Sequence, residues 1–215
     1  MTMRKGITIL CAVVFLALGS AVCRAESEIA KEFSTALKRK DAVKMTAVIT
    51  RNRDKIPAEV SALVDSALVP GTGTEEKEAM FNLAERMARH YKNVTGDEKP
   101  LVEEQKRAFE SYLSEPVILS SEDGVHTVVI NHRGEGKGPF SPDNIVIKKG
   151  EAVRWVNDNT EKHLISTASG ISSERLVSPE IGPGGSWVHR FYKPGVYYYL
   201  CCIHNEKMYG KIVVE

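Results

Sequence analysis

The sequence has little of what marks several common classes of protein. Its 215 residues hold 29 Lys and Arg against 28 Asp and Glu, and no block of basic residues is present to neutralise phosphates. The chain has only four cysteines and lacks the Cys-x-x-Cys-His sequence that attaches a c-type haem. Its apolar run at residues 7–18 is well short of the roughly 20 residues that cross a membrane. These absences argue against a nucleic-acid partner, a covalently bound haem and a membrane span in the mature chain.

The first 25 residues have the pattern of a secretory signal peptide. Arg4 and Lys5 precede the apolar run, and residues 23–25 form a small-x-small cleavage site. Losing this segment removes three basic residues and no acid, which lowers Lys and Arg from 29 to 26 against 28 Asp and Glu. We therefore expect a periplasmic or otherwise extracytoplasmic protein that is slightly acidic when mature. Earlier cleavage after Ala21 and a retained anchor are the alternatives.

Only two cysteines, Cys201 and Cys202, remain if Cys11 and Cys23 leave with this signal peptide. Adjacent cysteines form a strained ring when joined, so they are poorly suited to a structural disulfide. A thiol that an exported protein keeps usually has a chemical use. The sequence therefore indicates a function for residues 201–202.

Residues 26–115 carry the apolar spacing of helices and almost no strand signals. For example, apolar residues recur at helical spacing over residues 60–68 and stop at Pro70-Gly71. Four or five helices of this kind, joined by short loops, predict a small antiparallel bundle. Three side chains of this half are interpreted as boundary or core residues with no chemical role: His90, Met80 and Met87.

From residue 116 onward the apolar period changes to two. Seven runs rich in β-branched and aromatic residues, separated by turn residues, cover residues 125–130, 145–147, 152–156, 163–167, 187–191, 196–201 and 211–214. Seven or eight such strands in about 100 residues predict an antiparallel Greek-key β-sandwich. The expected fold is α+β in two domains, a helical domain over residues 26–115 and a sandwich over residues 116–215.

The last strand–loop–strand carries three metal-binding side chains within eight residues: Cys201, His204 and Met208. Thiolate and thioether ligands hold Cu(I), and imidazole suits both oxidation states of copper. Alternate residues of a strand share a face, so Cys201 should point inward with Tyr197 and Tyr199. Its neighbour Cys202 should point away. The segment indicates a redox-active copper ion that needs a second imidazole from elsewhere.

Five histidines are candidates for that second imidazole: His90, His126, His132, His163 and His189. His163 is favoured because it opens a strand directly after a polar turn, at the same kind of sheet end as the Cys201 loop. His189 lies in mid-strand, where a solvent-facing ring is expected. His126 and His132 flank a strand near the start of the sandwich and are weaker candidates.

Other metal sites fit these residues less well. Methionine is a poor zinc ligand, and small zinc modules generally use more thiolates. A binuclear copper centre needs two thiolates on one side, whereas adjacent cysteines on a strand point in opposite directions. The six histidines include no His-x-His pair for the further copper sites of an oxidase or nitrite reductase.

Four stretches of the second half match a known family: residues 140–150, residues 153–157 leading to His163, residues 183–186, and residues 194–201 continuing to Met208-Tyr-Gly210. Over roughly residues 117–215 the chain resembles the cupredoxins, the small blue copper proteins. The resemblance implies one type 1 copper ion with four ligands: His163, Cys201, His204 and Met208. It also implies that electrons pass through the outer edge of the His204 ring, within an apolar rim of Ile203 and Tyr209.

The chain departs from the family pattern around this loop. Three residues separate His204 from Met208, an intermediate spacing that bears on the axial bond. Leu200 stands where some members carry a tyrosine used as an electron exit, and Leu164 replaces an asparagine that often follows the first histidine. Cys202 is an unusual second thiol.

These features support one main function and two alternatives. The main one is an exported one-electron carrier, not an enzyme, that exchanges electrons with a redox protein such as a cytochrome or a copper oxidoreductase. The first alternative is an exported copper-binding or delivery module that docks a client through its helical domain. The second, an enzyme with an open copper position, requires that Met208 is not a ligand.

Overall fold

The computed structural model describes residues 27–131, 139–204 and 208–215. The chain divides between Pro100 and Leu101 into two compact units, the first helical and the second built mainly of strands. The expected domain boundary at residues 115–116 stays a prediction, and the expected signal peptide lies outside the described residues. Among the helices in those ranges, none has both the length and the apolar character needed to cross a bilayer.

Within the described residues the first unit contains four complete helices, α1 (Glu28–Lys38), α2 (Ala42–Arg51), α3 (Ile56–Ala67) and α4 (Thr74–Thr95). The side chain of Ser27 accepts a hydrogen bond from the N–H of Ala30 and so caps the start of α1. Helix α4 is capped at its C-terminal end by Gly96, whose positive φ of 77° favours a residue without a Cβ. Helix α4 contacts the other three, and together they form the predicted bundle.

The helical side chains that the sequence interprets as structural have structural surroundings. Met87 is fully buried, and Met80 is half-buried on the same helix. The Nε2 of His90 lies 3.0 Å from the hydroxyl of Thr46, and its ring meets Phe33 edge-on. These contacts explain His90 as a boundary residue of the bundle.

Helix α5 (Lys99–Glu110) leads into the second unit, where the described residues form nine strands: β1 (Val117–Ile118), β2 (Val125–Ile130), β3 (Phe140–Ser141), β4 (Asn144–Ile147), β5 (Ala152–Asn157), β6 (Ile165–Thr167), β7 (Ser186–Arg190), β8 (Gly195–Cys201) and β9 (Tyr209–Val214). One sheet has the order β1-β4-β9-β8-β6 and the other has the order β3-β2-β5-β7. The two-residue strands β1 and β3 were not predicted, because so short a segment shows no alternation.

Strand direction corrects one detail of the predicted fold, since both sheets are mixed rather than antiparallel. Strands β2 and β5 run parallel, and β4 runs parallel to both β1 and β9. Between β2 and β5 the chain crosses to the other sheet to form β4, so β5 returns beside β2 in the same direction. Alternating burial is the same in either arrangement, and the apolar period therefore does not reveal strand direction.

Aromatic rings fill the space between the two sheets. The largest fully buried side chains of this core are Trp155, Tyr197, Tyr199, Phe140 and Phe191. The ring of Tyr199 lies 5.5 Å from that of Trp155 and 5.1 Å from that of Phe140. This interior supports strand β8 from behind, as far as its last residue, Cys201.

Helix α5 contacts the outer face of β8. Tyr198 stands between the two core tyrosines in sequence and points to the opposite side of the sheet, where its ring meets Phe109 at 5.5 Å. Its hydroxyl donates a 2.6 Å hydrogen bond to Glu110, and the same carboxylate lies 2.9 Å from the ammonium of Lys211 on β9. All three consecutive tyrosines of β8 are therefore buried.

Candidate metal centre

Strand β8 delivers Cys201 to the interior at one end of the sandwich. Cys201 is 3% exposed, whereas Cys202 is exposed, as the alternation of the strand predicts. The N–H of Cys201 donates to the carbonyl of Met208, and the N–H of Cys202 donates to the carbonyl of Leu164. These two bonds fix the base of the loop that begins at Cys201.

His163 lies between β5 and β6 and is held in place by Ile181, in the segment between β6 and β7. Its N–H donates to the carbonyl of Ile181 at 3.0 Å, and its carbonyl accepts from the N–H of Ile181 at 2.8 Å. Two residues later, Ile165 pairs directly with Cys201 across the sheet. Since alternate residues share a face, the ring of His163 lies on the buried side with the thiol, and the residue is 1% exposed.

Three donor atoms converge where β8 ends. The Sγ of Cys201 lies 3.5 Å from Nδ1 of His163 and 3.4 Å from Nδ1 of His204. Ligand atoms of the three residues all lie within 4.8 Å of one another, and the two imidazole centroids are 4.6 Å apart. The structure thus brings together a thiol and two imidazoles from two distant segments.

The spacing of these atoms fits a first-row metal ion. An ion that bonds sulfur at about 2.3 Å and imidazole nitrogen at about 2.0 Å in a trigonal plane separates sulfur from nitrogen by about 3.7 Å. The observed separations of 3.4 and 3.5 Å differ from this value only slightly. Two imidazoles and one thiolate are the equatorial donors of electron-transfer copper sites. Small movements of the side chains would therefore let them hold copper.

Met208, the expected axial ligand, is buried beside this cluster. It is 5% exposed and belongs to the same apolar core as Cys201. The backbone bond from Cys201 to Met208 brings the two residues together across the start of the loop. Its assignment as a ligand stays a prediction.

The remaining candidate histidines do not join this cluster within the described residues. Nε2 of His126, near the start of β2, lies 2.9 Å from the carboxylate of Glu151. Strands β2 and β5 run parallel from there toward the end of the sandwich that holds the cluster, so His126 lies at the opposite end. His189 stacks on Trp187, and burial lowers its pKa. His90 belongs to the helical unit, and His132 lies outside the described residues.

A carboxylate that the sequence does not single out contacts one of the candidate ligands. Oε2 of Glu161 lies 3.0 Å from Nε2 of His204, the ring nitrogen that faces away from Cys201. Glu161 belongs to the polar turn before His163. A turn of charged and amide residues predicts solvent exposure only, and no spacing pattern links residue 161 to residue 204.

The surface around His204 differs from the apolar rim that the resemblance implies. Ile203 is 45% exposed, as expected for such a rim. Tyr209, in contrast, is half-buried. The centroid of its ring lies 4.1 Å from that of Phe109 and 5.7 Å from that of Tyr112. Tyr209 therefore contributes to the packing of α5 on the sheet.

Three known proteins resemble the second half of the chain. A family profile described as copper binding proteins, plastocyanin/azurin family, matches residues 127–215. Amicyanin-alpha of Methylorubrum extorquens is 35% identical, over 37% of this chain and 66% of that protein. The plastocyanin of Scenedesmus fuscus is 34% identical, over 35% of this chain and 86% of that protein. A solved structure, a novel purple cupredoxin from Nitrosopumilus maritimus, is 28% identical with a TM-score of 0.37, over 42% of this chain and 99% of that one.

Proposed function

Because the second half of this chain belongs to the plastocyanin/azurin family of copper-binding proteins, we propose that the protein is an exported one-electron carrier built around one type 1 copper ion. The copper cofactor and the electron-carrier class follow from family membership. Export, the individual ligands and the redox partner are further parts of the proposal. Export is supported by the signal-peptide pattern of residues 1–25.

The residues that would hold the ion in this proposal are His163, Cys201 and His204, with Met208 as a weak fourth donor. One observation carries the assignment: both Nδ1 atoms approach the same buried sulfur, at 3.4 and 3.5 Å. Four donors from the chain leave no open position for a substrate. For this reason we propose a carrier and not an enzyme.

The chain's role in electron transfer is to keep the donors in one arrangement. Copper held by these residues would supply one-electron chemistry between Cu(I) and Cu(II). His163 is fixed by its two backbone bonds to Ile181, and Cys201 is fixed by ladder bonds and the aromatic core. Rigid donors limit the structural change that accompanies the change of charge.

His204 provides the most direct connection between the cluster and the surface. Its side chain is 13% exposed, whereas His163 and Cys201 are almost completely buried. The neighbouring exposed Ile203 offers apolar contact to a docked protein. A redox protein such as a cytochrome or a copper oxidoreductase is the partner that we propose.

The test compares two neighbouring cysteines in the copper-loaded protein. With Cu(II), the wild type should show an intense visible band from thiolate-to-copper charge transfer, the matching EPR spectrum and a reversible voltammetric wave. Cys201→Ser should lose the visible band completely, because only the buried thiol faces both imidazoles. Cys202→Ser is the matched control and should keep it.

The opposite result, with the band lost in Cys202→Ser and kept in Cys201→Ser, would overturn the ligand assignment. A wild type that binds Cu(I) tightly but exchanges electrons slowly with a cytochrome would contradict the carrier function. That second outcome would indicate copper storage or delivery.

A further inference from the structure

The turn that carries Glu161 is fixed by buried asparagine side chains. Asn157 is fully buried, and its Nδ2 donates to the carbonyls of Glu161 at 2.8 Å and Ile181 at 2.9 Å. Its Oδ1 accepts from the N–H of Asn159 at 2.9 Å. One amide side chain therefore joins the turn, Glu161 and the strand segment that also holds His163.

Asn159 completes the support of Glu161. Its Oδ1 accepts from the N–H of Glu161 at 3.1 Å, and its Nδ2 donates to the carbonyl of Asn131 at 3.1 Å. Both backbone polar groups of Glu161 are thus held by asparagines that are at least nine-tenths buried. The side chain of Glu161 is 53% exposed, but it extends from a rigid position.

The carboxylate of Glu161 approaches His204 from the side opposite the thiol. Oε2 lies 3.0 Å from Nε2, while Nδ1 of the same ring lies 3.4 Å from the Sγ of Cys201. A carboxylate accepts hydrogen bonds, so this contact favours the ring form that carries its proton on Nε2. The lone pair on Nδ1 then faces the cluster.

We propose that Glu161 is a positioning residue that fixes the tautomer and orientation of His204 and favours Cu(II) over Cu(I). This inference rests on the proposed copper function. A carboxylate bonded to the outer nitrogen of a ligating imidazole makes the ring a stronger donor and holds its orientation. Its negative charge also stabilises the more highly charged ion. Both effects lower the reduction potential.

Neighbouring charges do not cancel the effect of Glu161 on the reduction potential, but exposure to water limits its size. The ammonium of the adjacent Lys162 lies 3.1 Å from the carboxylate of Glu180, so this cation has an acidic partner of its own. Water reaches the half-exposed Glu161 and screens its charge. Removing the hydrogen-bond partner of a ligating histidine typically weakens metal binding about 10–100-fold. Because of the screening, we expect an effect at the lower end of this range.

The test uses Glu161→Gln, which removes the charge and keeps a hydrogen-bond acceptor of the same shape. Cu(II) binding should weaken about tenfold relative to Cu(I), which corresponds to a rise in reduction potential of about 59 mV. Glu180→Gln is the matched control, because it removes an exposed carboxylate from the same region without a contact to His204. Its potential should change far less than that of Glu161→Gln, because Glu180 acts only through its ion pair with Lys162.

A second measurement needs no metal. In the metal-free wild type, nitrogen NMR should show His204 with its proton on Nε2, and Glu161→Ala should relax the ring to a mixture of both tautomers. An Nδ1-protonated ring in the wild type would overturn the proposal, as would equal potentials in Glu161→Gln and Glu180→Gln. A wild type without a reversible copper wave would instead contradict the proposed function, while the metal-free NMR would still test Glu161.

Discussion

The contact between Gly210 and Tyr199 shows how closely the residues behind the metal centre are packed. A Cβ placed on Gly210 would lie 2.1 Å from Cζ and 2.3 Å from the hydroxyl oxygen of Tyr199. Tyr199 is 1% exposed, and burial raises its pKa, so its ring is neutral and enclosed. It belongs to the same strand face as Cys201, two residues away.

Gly210→Ala should therefore destabilise the second unit. The added methyl group forces the ring of Tyr199 out of its packed position, and overpacking of this kind typically costs about 1–3 kcal/mol. Chemical denaturation of the metal-free protein measures the change. Gly182→Ala is the matched control because nothing lies within 4 Å of the added Cβ. Equal stability of the two variants would contradict the packing argument.

At the level of residues, sequence reasoning succeeds where a local pattern determines the outcome. Strand alternation predicts that Cys201 is buried and Cys202 exposed, and the structure agrees. The contact between Glu161 and His204 was not predicted, because it depends on two loops that meet only in the folded chain. The copper ligands themselves stay predictions.

Among the elements, helix α5 is attached to the sheet by a polar contact as well as by the aromatic packing of Phe109. Burial acts to raise the pKa of Glu110, but hydrogen bonds from Tyr198 and Lys211 outweigh burial and lower it below 4.5. A carboxyl group with a lowered pKa stabilises the fold above its unfolded pKa, and that contribution is lost as the pH falls through the folded value.

Glu110→Gln should therefore lower the free energy of unfolding by about 0.5–1 kcal/mol at neutral pH, since it weakens a hydrogen bond from a buried tyrosine while water screens the half-exposed carboxylate. The difference from the wild type should shrink as the pH falls below 4.5. Urea denaturation across this pH range measures it. Glu122→Gln, at an exposed position of the same unit, is the control. If the difference in free energy of unfolding between Glu110→Gln and the wild type does not change with pH, the charge of Glu110 is unimportant for stability.

Element boundaries were partly predictable for physical reasons. Proline, glycine and capping residues mark the helix ends, and alternation marks the longer strands. The direction of β5 and β9 was not predictable, because it depends on where the chain crosses between sheets. The predicted strand at His163 is shorter in the structure, since β6 begins at Ile165 and His163 makes only an isolated bridge.

For the whole molecule, the two halves of the chain contribute unequal information about function. The donors that converge in space all belong to the second unit, as does the match to the copper-binding family. Over its described residues the helical unit is a packed bundle, whose apolar spacing predicts its fold and does not by itself indicate a function. Its purpose is therefore not predictable from residue types alone.

This asymmetry predicts that copper stabilises one unit selectively. A ligand that binds only the folded state, at a concentration 100 times its dissociation constant, raises the free energy of unfolding by about 2.7 kcal/mol. For a unit of this size, such a gain raises the melting temperature by roughly 10–20 °C. Trp155 and Trp187 are the only tryptophans of the chain, and both lie in the second unit. Near-ultraviolet circular dichroism of the Trp bands, with Cu(I) added anaerobically, therefore reports the melting of that unit.

The variant Cys201→Ser is the control for this experiment, because it removes the central thiol of the cluster. In this variant copper should raise the melting temperature of the second unit much less than in the wild type. The variant should keep the fold, since serine is close to cysteine in size. Far-ultraviolet circular dichroism, to which the helices contribute strongly, should show a much smaller effect of copper. An equal increase in Cys201→Ser would mean that copper binds elsewhere, because a site that depends on this thiol cannot stabilise the protein without it.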